Sequence, residues 1–150
     1  MEKLEGVIFY TLDKSIKTYR QFAQRRFIES GLDITIDQWL VLNTIHEKPG
    51  ISQLEIADKV FKDAASVTRI IDLLIKKNLL ERSQHGQDRR RFTLAITKEG
   101  QKMLDNVGRV VKQNRSIALD GLQDKNLEDL KKTLNTIIQN CQNSEYETGN

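Results

Sequence analysis

Apolar residues recur at helical spacing along most of this chain and switch to strand spacing only once, and that single switch restricts the folds open to it. Leu4, Ile8, Leu12, Ile16, Tyr19, Ala23 and Phe27 return every three or four positions, the period of one helix face. Phe92, Leu94 and Ile96 instead alternate, as in a strand with one buried face. A chain of this pattern is mainly α with a small β-hairpin.

Local stop and start signals divide the helical part. Gly31 ends the first helix, and Thr35 with Gln38 forms a capping box in which hydroxyl and amide satisfy each other's backbone donors. The second helix carries Trp39, Leu40, Leu42 and Ile45 and ends near Glu47, because Pro49 disfavours helix at the residue before it and Gly50 adds a turn. Ser52 and Glu55 make a second capping box, opening a short helix with Leu54, Ile56, Ala57 and Val60. Asp63 caps a fourth helix that carries Val67, Ile70, Ile71 and Leu74 and stops at Asn78, a residue that tolerates the left-handed conformation. Strands are expected over 79–83 and 91–96, joined by a polar loop from Gln84 to Arg90 centred on Gly86. Thr97 caps a long fifth helix with Leu104, Val107, Val110, Val111, Ile117 and Ala118 on one side, and Gly121 interrupts it. A last helix carries Leu127, Leu130, Leu134, Ile137, Ile138 and Cys141, followed by a frayed tail from Ser144 to Asn150.

Composition excludes several function classes. The 150 residues include one cysteine, Cys141, and two histidines, His46 and His85, too few for a zinc site of the Cys/His type or for an intramolecular disulfide. No glycine-rich phosphate loop, nucleophile elbow or paired histidine spacing occurs, so neither an enzyme nor a cofactor is expected. No apolar run approaches the roughly 18 residues of a membrane helix, and the start Met-Glu-Lys-Leu-Glu lacks a signal-peptide pattern, so a cytoplasmic protein without membrane association is expected. The net charge is only +3, but it is unevenly placed: Arg82, Arg89, Arg90 and Arg91 face a single acid, Asp88, within 82–91, whereas 120–150 is acid-rich. The middle of the chain is therefore expected to meet a polyanion.

A helix, a tight turn, a second helix with small residues at its start and a basic hairpin make the layout of a winged helix-turn-helix. A helix of about 10 to 12 Å diameter fits the major groove of DNA, with its N-terminal side chains toward bases and phosphates. Ala64, Ala65 and Ser66 permit close approach, and Thr68 and Arg69 supply a hydroxyl and a forked guanidinium suited to guanine or phosphate. With Lys62 at the turn and Arg89 and Arg90 on the hairpin, these form the expected DNA-binding set. Each residue also has a plainer reading: a solvated basic hairpin, an ion pair between Arg69 and Asp72, core packing of Trp39 and His46, and a buried, inert Cys141 thiol.

The pieces Ser66-Val67-Thr68-Arg69-Ile70-Ile71-Asp72, Lys76-Lys77-Asn78-Leu79, Glu81-Arg82, Asp88-Arg89-Arg90 and Leu94 to Gly100 occur in an order and spacing that resemble the MarR family of bacterial transcription regulators. Asn78 stands where that family usually has Gly, and Ile96-Thr97 where it has Leu-Thr; both replacements keep the same backbone and packing roles. The resemblance implies a winged helix-turn-helix over 35–100, flanked by dimerisation helices over 1–34 and 101–150. It implies that Asp88 braces the wing while Arg90 reaches DNA. It further implies a homodimeric regulator of double-stranded DNA, a repressor on a pseudo-palindromic operator, released by a small aromatic or anionic effector in a cleft near Arg25, Trp39 and His46. The alternative is a winged-helix module that binds an acidic protein and has no operator.

Overall fold

The structure, a computed structural model, describes the backbone of residues 1–85 and 88–147 and the side chains of residues 1–83 and 93–144. It divides into two compact units, Met1–Arg115 and Ser116–Asn150. The first contains a 3-10 turn at Leu4–Gly6, α1 (Ile8–Glu29), α2 (Ile36–Glu47), α3 (Gln53–Val60), α4 (Ala64–Lys76), β1 (Leu80–His85), β2 (Asp88–Ile96) and most of α5 (Lys98–Ala118). The second contains the end of α5 and α6 (Asp124–Glu147).

The helix ends follow local chemistry. Gln38 N–H donates to Thr35 Oγ1 at 3.1 Å and Thr35 N–H to Gln38 Oε1 at 3.2 Å, completing the expected box. Ser52 accepts from Glu55 N–H at 3.1 Å, Asp63 from Ser66 N–H at 2.7 Å, and Thr97 from Gly100 N–H at 2.9 Å. Three helices close by one geometry, a left-handed residue followed by a bond reaching back five residues: Gly31 (φ 73°) with Leu32 N–H to Phe27 O, Phe61 (φ 58°) with Lys62 N–H to Ala57 O, and Asn78 (φ 60°) with Leu79 N–H to Leu74 O. Lys77, at the end of α4, then donates to Asp33 O at 2.9 Å and to Gln38 Oε1 at 3.2 Å, tying that end to the α1–α2 connection.

The core of the first unit joins Phe27 of α1, Val41, Leu42 and Ile45 of α2, Ile56 of α3, Val67, Ile71 and Leu74 of α4, Leu80 of β1, and Leu104 and Val107 of α5. It is a helix-turn-helix pair clasped between the end of α1 and the start of α5, with the antiparallel hairpin beyond it. This is a mainly α, winged helix-turn-helix fold.

Four expectations change. The first helix does not begin at Leu4, because Val7 is extended (φ −82°, ψ 122°) and α1 starts at Ile8; Gly6, a poor helix former, sits at the break. The strands run further into the expected loop, to His85 and from Asp88, because antiparallel pairing needs backbone partners rather than apolar alternation. Gly86 and Gln87 lie outside the described residues. His46 is exposed rather than packed in the core, since Leu42 and Ile45 take the inner side of the last turns of α2. Cys141 is exposed rather than buried, and in its unit even Leu127, Leu134 and Ile137 of the same stripe are only half-buried. Among the described residues no helix is long and apolar enough to cross a membrane.

Candidate nucleic-acid interface

Helix α4 is built with two faces. Val67, Ile71 and Leu74 are buried, whereas Ala64 and Ala65, Thr68 and Arg69, Asp72 and Leu73, and then Lys76, are exposed at one-turn intervals. The first turn therefore presents two methyl groups and backbone N–H groups, with nothing bulky in front of them. Asp63 caps this end; hydrogen bonds from the Ser66 N–H and hydroxyl hold its carboxyl below the usual carboxylate range.

Further along the same face, Thr68 Oγ1 lies 3.0 Å from Ala64 O and 3.3 Å from Gln53 Oε1 of α3. Arg69 Nη2 donates to Ser66 Oγ at 3.2 Å, a weak tether that leaves the guanidinium at the surface. Asp72 is not its partner. Arg82 of β1 takes Asp72 instead, Nη2 to Oδ1 at 3.0 Å, and so braces the base of the hairpin against α4. Arg82 thus leaves the basic group expected on the hairpin and acts as a strut. Asp88, Arg89 and Arg90 lie in β2, and their side chains lie outside the described residues.

Lys62 faces a different partner. Its ammonium lies 3.2 Å from Asp37 Oδ2 and its side chain is only 30% exposed. Asp37, in the first turn of α2, also accepts from Arg20 of α1. Burial raises the Asp37 carboxyl, but the hydrogen bonds and charges of Arg20 and Lys62 outweigh it and hold the group below its ordinary value. A carboxyl depressed by folding contributes stability above the unfolded carboxylate range, and that contribution is lost as pH falls through the lower, folded value. Because the side chain is 35% exposed and screened by solvent, the expected contribution is below about 1 kcal/mol. Urea midpoints at neutral and strongly acidic pH should show Asp37→Asn losing less stability than the parent over this interval. Equal losses would mean the shared carboxylate carries no such linkage.

Beside this triad an open cleft of about 690 Å³ is lined by Arg20, Gln21, Gln24, Arg25, Ile28 and Glu29 of α1 and by Thr35, Ile36 and Asp37. Of the residues expected at an effector cleft, Arg25 lines it. Trp39, half-buried and edge-on to Phe27 with ring centroids 6.3 Å apart, and His46 are outside its lining. Arg20 and Asp37 lacked any sequence signal for this role, since only the crossing of α1 over the start of α2 brings them together.

Known proteins share this architecture. Residues 34–92 match the family model described as the MarR family, which spans the helix-turn-helix and most of the hairpin. The chain is similar to CouR from Rhodococcus jostii, solved with p-coumaroyl-CoA bound, at 21% identity over 91% of this chain and 95% of that one, with a TM-score of 0.78. It is similar to a protein of unknown function from Listeria innocua at 30% identity over 89% and 91% of the two chains, with a TM-score of 0.69. A third similar structure is BpsR from Bordetella bronchiseptica, whose DNA binding is regulated by 6-hydroxynicotinic acid, at 18% identity over 91% and 96%, with a TM-score of 0.80. The family match across the α2-to-β2 segment, on a fold these structures share over nine-tenths of their length, makes residues 34–92 a MarR-family winged helix-turn-helix domain.

Proposed function

We propose that this chain is a homodimeric, sequence-specific regulator of double-stranded DNA that represses from a pseudo-palindromic operator and leaves it when a small aromatic anion binds. The observation that carries the reading is the outward face of α4, small at its entry and bearing Thr68 and Arg69 one turn on, beside a hairpin that Arg82 braces through Asp72. In this reading Ala64, Ala65, Ser66, Thr68 and Arg69 meet the major groove. Arg89 and Arg90 meet the flanking minor groove or its phosphates, and Asp88 braces the wing. Lys62, paired with Asp37, completes this DNA-binding set at the turn.

The reading head is residues 35–100, and the dimer forms through 1–34 and 101–150. Exposed Ile8, Phe9 and Ile16 on α1 and Leu130 and Ile138 on α6 support a partner chain as their cover. The cleft suits an aromatic acid, with Arg20 and Arg25 as carboxylate partners and Ile28 and Ile36 as an apolar floor. Binding rather than covalent chemistry is the activity.

Selection from a random pool of duplex DNA tests the reading. We expect one enriched sequence with two half-sites, bound by two chains. Arg69→Ala should weaken that site by about 1 to 3 kcal/mol, with relaxed preference where the contact is to a base. A pool that yields no enriched sequence overturns the proposal and leaves the protein-binding module as the better account.

A further inference from the structure

The turn that delivers α4 holds a residue that its backbone does not favour. Of the three helices that close through a left-handed residue, two use Gly31 and Asn78, types suited to it, while α3 closes through Phe61 at φ 58°. A bulky side chain at positive φ is strained, and glycine there relieves the strain. Burial does not offset the strain, because Phe61, in the turn between α3 and α4, is 94% exposed. An aromatic ring held in solvent at a strained position is therefore maintained for something outside the folded chain.

Its place in the fold identifies that partner. Phe61 stands two residues before Asp63, the cap of the helix whose outer face enters DNA in the function proposed above, on which this inference rests. The cation beside it, Lys62, is turned to Asp37, and the Asp63 carboxylate, satisfied by Ser66, repels phosphate. What the turn itself offers between α3 and α4 is an apolar ring, its own cation being paired with Asp37, while the exposed Lys59 lies in the last turn of α3 before it. We propose that Phe61 is a specificity-determining residue that packs its ring against the deoxyribose and base edge of the nucleotide where α4 enters the major groove. Aromatic contacts to sugars and bases need no counterion release, so this one adds affinity without adding to the salt dependence.

The test uses the full-length chain and the selected operator duplex, with Phe61→Gly and Phe61→Asn, the two residue types found at the other helix ends. We expect both variants to raise Tm, by about 2 to 5 °C for glycine. We expect both to weaken operator binding about five- to twentyfold, with the slope of affinity against salt unchanged. The opposite signs are the signature, since a residue that only shapes the turn would move stability and affinity together. Variants that bind the operator as well as the parent, or better, overturn the proposal while leaving the regulator reading intact. A fall in salt slope overturns it too, since the turn would then be acting through charge. If the parent chain itself enriches no duplex, the regulator reading fails first and this inference fails with it.

Discussion

Replacing Gly100 with alanine should destabilise the chain by about 3 kcal/mol, near the upper end of what an overpacked core site costs. A Cβ at this position would stand 2.1 Å from the carbonyl oxygen of Leu79 and 2.9 Å from Ile96 Cγ2. The backbone neighbour, the closer of the two, is not free to yield. Leu79 is buried, its N–H closes the end of α4 on Leu74 O, and its carbonyl accepts from Thr97 N–H at 3.2 Å. Gly100 N–H is itself held by Thr97 Oγ1, so α5 cannot back away without losing its cap. Gly108, on the same helix with nothing within 4 Å of its added Cβ, is the control, and its alanine variant should gain up to about 1 kcal/mol. Urea unfolding of both decides the matter. Similar midpoints for the two variants would mean that the junction of α4, hairpin and α5 is looser than its contacts imply.

Phe27→Ala should cost about 3 to 5 kcal/mol, through lost transfer energy and the cavity left behind. The ring is 1% exposed and is where the end of α1 enters the winged core, edge-on to Trp39. Because Trp39 is the chain's single tryptophan, its emission reports on this contact directly. We expect a shift toward solvent-exposed emission together with the loss of stability. A destabilised protein with unchanged emission would show that Trp39 is held by α2 alone and that α1 docks elsewhere.

What was legible in the sequence was mostly local. Thr35 with Gln38, Asp63, Gly31 and Asn78 mark helix ends because capping is decided within three to five residues, and each acts as its type suggests. The apolar periods of α2 and α4 gave the core for the same reason. The ion pairs were not legible. Spacing along one helix offered Asp72 to Arg69 as the plainer alternative, but the hairpin brings Arg82 to it, and no rule of spacing links Arg20, Asp37 and Lys62 across three elements. Exposure failed where a stripe has no cover within its own unit, as for Cys141, because periodicity tells which face is apolar and not what lies against it. Phe61 carried no sequence signal at all: a phenylalanine between two helices reads as core until its φ is known.

The two lysines that flank α4 have a mechanical consequence when taken together. Lys62 ties the approach to the helix onto Asp37, and Lys77 ties its exit onto Asp33 and Gln38, so both ends hang from the same short span, Asp33 to Gln38. On its other sides α4 is held by the core contacts of Val67, Ile71 and Leu74 and by the Arg82–Asp72 pair. Thr35, Ile36 and Asp37 of that span also form one wall of the cleft. One short span thus serves as a wall of the cleft and as the shared mooring of both ends of α4, so a substitution that displaces it would be felt at both ends of that helix at once.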